Sequence, residues 1–344
     1  MRTLVGNGSD GMLRRLFGAA ADRAVAFIAT VFSIAASSAL TPAFAGLGAP
    51  TDGELGLPLP ATDLMEKLHN VYDVVNIVII AIALFVLFLM LYVMYRFSEK
   101  RNPVPSRTTH NTFLEVAWTV IPILILAGIS IPSFRLLYDQ YSFPKPDLTV
   151  KAIGQAWAWD HEYVDNGFTV SSNVVNDEDV LKEKLGEDAF AQKYGELEGI
   201  ARNKALYADS AAIWAERNQL RKLTVDNEIA VPVNKVVHLL VTSQDVIHSW
   251  TIPSFGVKMQ AVPGRTSAVW FKANTVGTFH GQCSVLCGKL HSAMPITVRV
   301  VEQPVYDQWV EALKAKDRKK AQSILKADAE SKSAGASVAM TTQK

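Results

Sequence analysis

Three kinds of hydrophobic patterning divide the chain. Near its start, Arg14, Arg15 and Arg23 lead into residues 24–40 (AVAFIATVFSIAASSAL), which carry no charge, and Ala43-Phe44-Ala45 then offers a small-x-small cleavage site. That order of features predicts a secretory signal peptide over 1–45; an uncleaved membrane anchor is the competing reading. After an outer segment at 46–73, residues 74–95 (VVNIVIIAIALFVLFLMLYVMY) run for 22 residues without a charge. This is long enough to cross a hydrocarbon core of about 30 Å. A second predicted span, 113–138, opens with FLEVAWTVIPILILAGISIPSF. Its Pro122 and Pro132 are tolerable in lipid when neighbouring helices satisfy the freed carbonyls. Residues 96–112 between the spans hold Arg96, Lys100, Arg101 and Arg107 against Glu99 alone. The positive-inside rule therefore places this loop in the cytoplasm and both ends of the hairpin outside.

From about residue 139 the pattern changes to short β-branched and aromatic runs at 147–153, 156–164, 235–242, 255–262, 266–273 and 295–302. Pro232, Pro253, Pro263-Gly264 and Gly277 punctuate them. Short strands with such spacing predict an all-β sandwich or barrel over 139–316. A polar, helical stretch at 171–222 interrupts it as an insertion, and a last helix is expected at 304–316. Residues 317–344 are rich in Lys, Ala and Ser without an apolar period, which predicts a disordered tail. The expected fold is thus a two-helix transmembrane hairpin followed by an all-β domain with a helical insertion.

Composition narrows the function classes. The 344 residues are 49% hydrophobic and 19% charged, so a wholly disordered chain is excluded. A net charge of +1 leaves no chain-wide basic footprint for nucleic acid. With two Cys, a disulfide-stapled scaffold is also excluded.

Both cysteines fall in one stretch, Gly281-Gln282-Cys283-Ser284-Val285-Leu286-Cys287-Gly288-Lys289-Leu290-His291-Ser292-Ala293-Met294-Pro295. Two thiols, an imidazole and a thioether on one short loop form a soft donor set, which selects copper. A second imidazole, His248 in DVIHSW, follows the apolar run 236–241. Competing readings are a disulfide, a structural zinc site and a mononuclear blue-copper site. The blue-copper pattern uses one Cys, and the surplus Cys here argues for two coppers sharing two thiolate bridges.

These residues sit among further motifs. LEVAWTVIP (114–122), GQAWAWDHEY (154–163), LTVDN (223–227), DVIHSWTIPSFGVK (245–258) and PGR (263–265) precede the cysteine loop. Together they make the chain resemble subunit II of bacterial haem–copper cytochrome c oxidases, from the first span to about residue 310. The resemblance implies a cupredoxin domain carrying the dinuclear copper centre CuA. Cys283 and Cys287 would bridge the coppers, His248 and Met294 would complete one, and His291 with the backbone carbonyl of Val285 the other. It implies that Trp157 receives the electron from cytochrome c, although core packing is the bland reading of Trp157 and Trp159. Glu115 would lie near the entrance of a proton channel in subunit I; a side chain reaching back to the membrane interface is the alternative. The implied complex, with subunits I and III, sits in the bacterial inner membrane with its copper domain in the periplasm. It would reduce O2 to water in subunit I, coupled to proton pumping.

Departures from the family pattern carry their own implications. Position 285 is usually Glu, whose carboxylate binds magnesium at the subunit I boundary; Val285 cannot, so that site is expected to be missing or altered. Gln260 stands where Asp often helps to dock cytochrome c, and Ala158 and His161 stand where Tyr is common. Over 139–310 there are 20 acidic and 16 basic residues, which suits a cationic donor. Yet 246–301 holds five basic residues and no carboxylate. Within 177–198, by contrast, eight Asp/Glu face three Lys/Arg, so the insertion is expected to supply the acidic docking surface unless it is simply a solvated helical face. A quinol-oxidase subunit II, which lacks copper ligands, and a copper-delivery protein are the alternatives to an electron-accepting subunit.

Overall fold

The structure is a computed structural model that describes residues 48–51 and 53–341; the expected signal peptide at 1–45 lies outside the described residues. Thr51–Leu55 belongs with Met1–Ala45 to one unit, of which only a turn is described, with Glu54 N–H donating to the Thr51 carbonyl (3.1 Å). Gly46–Pro50 and Gly56–Lys344 form the other unit.

Helix α1 spans Asp63–Arg96 and α2 spans Thr112–Tyr141. Thr62 caps α1 by accepting the Met65 N–H, and Asn111 caps α2 by accepting the Leu114 N–H. Asp63 and Glu66 at the start of α1 and Arg96 at its end match the helix dipole. Helix α1 begins well before the expected span at 74–95, so the last third of the outer segment is helical. The cause is packing: Leu64 and Met65 are buried, and the Thr62 hydroxyl donates to the Phe255 carbonyl (2.9 Å). Beyond this point α1 and α2 expose Phe88, Leu124, Leu126 and most of their other apolar side chains, a surface suited to lipid.

Ten strands build the outer domain. A five-stranded sheet runs β3 (Phe168–Ser172), β2 (Ala158–Tyr163), β1 (Leu148–Gln155), β5 (Val236–Ser243), β8 (Ser267–Lys272). A three-stranded sheet runs β4 (Ile229–Pro232), β10 (Pro295–Val301), β9 (Gly277–Gln282), and β6 (His248–Ile252) pairs with β7 (Val257–Ala261). Strict alternation on β1 and β5 turns one face of each inward. Trp159, Tyr163, Trp250, Phe255, Phe271, Phe279 and Trp309 fill the core between the layers. The Tyr163 hydroxyl spans it, donating to the Ala230 carbonyl (2.6 Å). Two registers set up the functional end. Parallel pairing of Gly154 with Ser243 brings the segments after β1 and β5 together. Antiparallel pairing of Gln282 with Pro295 makes residues 283–294 the connection between β9 and β10.

The insertion folds as helices α3 (Asp177–Leu185), α4 (Glu187–Tyr194) and α5 (Gly199–Glu216) around a separate core of Val180, Leu181, Phe190, Tyr194, Leu206, Ile213 and Trp214. Its ends meet at the Val174–Val225 bridge. The acidic and basic runs, separate in sequence, neutralise each other in space: Asp177 pairs with Arg221, Glu178 with Arg202, Glu183 with Arg217, Lys184 with Glu216, and Lys193 with Asp209. The acidic docking surface expected here is therefore largely consumed by internal ion pairs.

The tail departs most from expectation. After α6 (Gln303–Lys314), residues Arg318–Thr341 form a helix, α7, instead of a disordered segment. Ala321 and Leu325 are fully buried in the main core. Gln322 exchanges hydrogen bonds with the Glu228 backbone, and Arg299 donates to the Leu325 carbonyl (2.7 Å). Two apolar anchors one turn apart are too few to register as a period, but enough to dock the helix.

Leu325→Ala is expected to destabilise the outer domain by about 3 kcal/mol through the cavity it leaves. A loss below about 0.5 kcal/mol in chemical unfolding, the value of a neutral surface change, would contradict the docking of α7. A second expectation concerns acid. Burial alone would raise the Asp177 carboxyl, but hydrogen bonds from Arg221, Trp214 and Ser210 outweigh it and hold the group below its ordinary value. A depressed carboxyl stabilises fully above its unfolded value near 4 and loses that contribution as pH falls through the folded value. Hydrogen exchange in α3 and α5 should therefore accelerate below about pH 4, and Asp177→Asn should remove that acid limb; an unchanged limb would contradict this assignment.

Candidate metal centre

The loop between β9 and β10 folds back on itself. The Cys283 N–H donates to the Met294 carbonyl (3.0 Å), closing the loop at its neck, and a 3-10 turn at His291–Ala293 brings His291 round. The Cys283 and Cys287 sulfurs lie 3.6 Å apart, unbridged and buried. His248, the first residue of β6, is completely buried with Nδ1 4.0 Å from the Cys283 sulfur. On the other side, His291 Nδ1 is 3.6 Å from the Cys287 sulfur. The Cys283 thiol donates to the Val285 carbonyl (3.2 Å), so that oxygen is turned toward the sulfur pair. Met294 is fully buried in the adjoining core. His248, Cys283 and Cys287 place one ligand atom each within 4.8 Å of one another.

Burial is felt in the thiols. Desolvation, reinforced by the neighbouring Cys283, pushes the Cys287 thiol up to about 12. A Cys287 thiolate is therefore costly here without a cation, whereas a soft metal would supply the missing charge and take the sulfurs as ligands.

Supporting residues fix His248. Its Nε2 faces Asp245 Oδ1 at 2.8 Å, so the ring donates there and turns Nδ1 toward the thiols. Asp245 also accepts the Ala156 and Val246 N–H groups, each at 2.6 Å. Desolvation would raise this carboxyl, yet the bonds from His248 and the two amides hold it below its usual value. A Cβ on Gly154 would come 2.8 Å from His248 Cδ2, so glycine lets β1 lie flat against the ring. Trp159, fully buried, meets His248 edge-on at 6.0 Å. The Ser284 hydroxyl, bonded to Ser249 and Thr251, ties the cysteine loop to β6.

The aromatic stretch divides into two roles. Trp159 is core, whereas half-buried Trp157 donates its indole N–H to the Cys287 carbonyl (3.2 Å). Gly288, at φ 118°, lies beneath the Trp157 ring, where a Cβ would be 3.3 Å away. His161 is buried, accepting from Trp250 Nε1 (3.1 Å), and burial lowers it to about 3. It therefore belongs to the core. His248, Cys283, the Val285 carbonyl, Cys287, His291 and Trp157 thus converge with Met294 buried in the adjoining core, whereas Glu115 stands in the first turn of α2, accepting the Asn111 N–H. Twenty-six residue steps along the helix, about 40 Å of rise, separate it from Tyr141. Asp245 was not singled out from sequence, although its position three residues before His248 was the available signal.

The chain matches two family models: cytochrome c oxidase subunit II, transmembrane domain, over residues 50–136, and the periplasmic domain of the same subunit over 190–301. Cytochrome c oxidase subunit 2 of Cereibacter sphaeroides is 38% identical over 77% of this chain and 82% of its own. A probable subunit 2 from Rickettsia bellii is 36% identical over 76% and 84%. The crystal structure of the periplasmic domain of cytochrome oxidase subunit II from Bradyrhizobium japonicum matches with 39% identity and a TM-score of 0.37, over 51% of this chain and 99% of that one. The relatives are subunits of an oxidoreductase complex, and the matched transmembrane and periplasmic segments make this a membrane protein with a periplasmic domain. On this similarity, carried over most of both chains, the protein belongs to the cytochrome c oxidase subunit II family.

Proposed function

We propose that the chain is the electron-accepting subunit of its oxidase and holds a dinuclear CuA centre. Cys283 and Cys287 would hold the metals between them, with His248 and Met294 as further ligands on one side and His291 with the Val285 carbonyl on the other. The observation that carries this reading is the sulfur pair, 3.6 Å apart, with one imidazole on each flank. When bound, the group supplies a one-electron couple delocalised over two coppers.

The chain's own residues do the rest. The closed loop holds both thiols where water is excluded, so the ligand set barely reorganises when the charge changes. Asp245 fixes the His248 tautomer and, with Trp159 and Gly154, its orientation. Trp157, bonded to the cysteine loop, receives electrons from cytochrome c at the periplasmic surface of a bacterial inner membrane. They pass to haem in subunit I, where O2 is reduced to water with proton pumping. Subunits I and III and lipid surround α1 and α2, and Glu115 lies at the entrance to a proton channel on the cytoplasmic side. Val285 offers no carboxylate, so magnesium is not held at this position. Residues 1–45 are a cleaved signal peptide.

The purified chain, loaded with copper and freed of excess, is expected to retain two coppers and to be reduced by ferrocytochrome c. Cys283→Ser should retain fewer and lose the reduction; one copper in the native chain, or undiminished transfer in the variant, would contradict the proposal. Asp245→Ala should weaken copper affinity about 10- to 100-fold, the usual effect of removing a ligand's supporting carboxylate. Unchanged affinity in a competition titration would remove Asp245 from the centre.

A further inference from the structure

Every second residue of β2 turns inward, which places Trp159, His161 and Tyr163 in the core. On β6, His248 and Trp250 are both buried, two residues apart. The two strands meet through two rungs of side chains. In one, Trp159 approaches the His248 ring edge-on at 6.0 Å. In the next, the Trp250 indole N–H donates to His161 Nε2 at 3.1 Å. Strand β6 pairs with β7 and belongs to neither larger sheet. Among the described residues, the Trp250–His161 bond is the one hydrogen bond between β6 and the five-stranded sheet.

The chemistry of this bond is fixed at both ends. An indole only donates, so His161 Nε2 is the unprotonated nitrogen of a neutral ring. Full burial, which lowers this histidine to about 3, keeps it neutral near pH 7. A polar ring in an apolar core is costly unless it is bonded. His161 Nδ1 has no partner among the described residues, so the bond to Trp250 is what the buried ring is there to make.

We infer that His161 is a positioning residue of the metal centre: its bond to Trp250 holds β6 against β2 and thereby sets where His248 stands relative to the sulfur pair. The inference rests on the copper reading above and adds a residue to it. Asp245 fixes the rotation of the His248 ring from its Nε2 side. The indole bond acts instead on the backbone that carries the ring, two residues or about 7 Å along the strand. The other side-chain ties of β6, from Ser249 and Thr251 to Ser284, hold it to the cysteine loop but not to the sheet that carries Trp159 and Gly154. Without the His161 bond, β6 is free to shift against that sheet, and His248 shifts with it.

The test is a copper competition titration on the full chain in detergent. His161→Phe keeps a ring and removes the acceptor; copper affinity should fall about tenfold, the low end of what losing an outer-shell partner costs. His161→Gln offers an amide oxygen at about the reach of Nε2 and should stay within about twofold of the native chain. Val170→Ala, a core change on β3 opposite His161, should lower stability without changing affinity. Unchanged affinity in His161→Phe, no rescue by Gln, or an equal loss in Val170→Ala overturns the inference. Trp250→Phe removes the donor and should cost as much as His161→Phe, which keeps the test open if the latter does not fold. Combining the two should add less than about twofold, because they act through one bond; full additivity overturns the inference. Hydrogen exchange on the metal-free chain gives a readout independent of copper. Amides of β6 should exchange about tenfold faster in His161→Phe and at the native rate in His161→Gln. Uniform acceleration across all strands would make His161 a general core residue and overturn its positioning role. A native chain that retains no copper would sink the metal reading itself while leaving the exchange difference at β6 intact.

Discussion

Two thiols held 3.6 Å apart beyond the reach of water are the constraint on which the rest of the domain depends. Burial disfavours the Cys287 thiolate, so the pair is poised for a soft cation. Everything nearby serves to keep the sulfurs there. The neck bond from Cys283 to Met294 closes the loop, the Ser284 hydroxyl pins it to β6, and the Trp157 indole holds the Cys287 carbonyl. Deep burial of His248 and its bond to Asp245 then set one imidazole against the pair with the correct nitrogen forward.

The fold delivers these parts by register. Pairing of β1 with β5 and of β9 with β10 ends four strands at one edge, so that Gly154, Asp245, His248 and the cysteine loop meet without any long connection. The outer domain is fixed to the membrane helices by the Thr62–Phe255 and Trp270–Gln140 bonds, and the Lys67–Asp139 ion pair ties the two helices to each other. The insertion, with its own core and facing ends, adds mass without entering this arrangement.

Much of this was legible in the sequence, for physical reasons that differ from place to place. The membrane helices announced themselves by length and absence of charge. Strands β1, β2, β5, β7, β8 and β10 showed as β-branched runs. Strands β3, β4, β6 and β9 did not: β3 lies across the expected start of the insertion at 171, β4 has four residues, all buried and thus without alternation, while β6 and β9 carry His, Ser, Gly and Gln where the site requires them. The cysteine loop was readable because soft donors are rare and closely spaced. Pairings were not: sequence shows Asp177 and Arg221 as members of separate charged runs, and only the helical hairpin makes them one ion pair. For the same reason the docked helix α7 was hidden, its two buried anchors lying among exposed Lys and Ala.

The central claim is that one electron is shared by two coppers between Cys283 and Cys287, and electron paramagnetic resonance addresses it most directly. The copper-loaded, oxidised chain in detergent is expected to give a seven-line copper hyperfine pattern, the signature of one unpaired electron on two equivalent nuclei. A four-line pattern, from an electron confined to a single copper, would contradict the account.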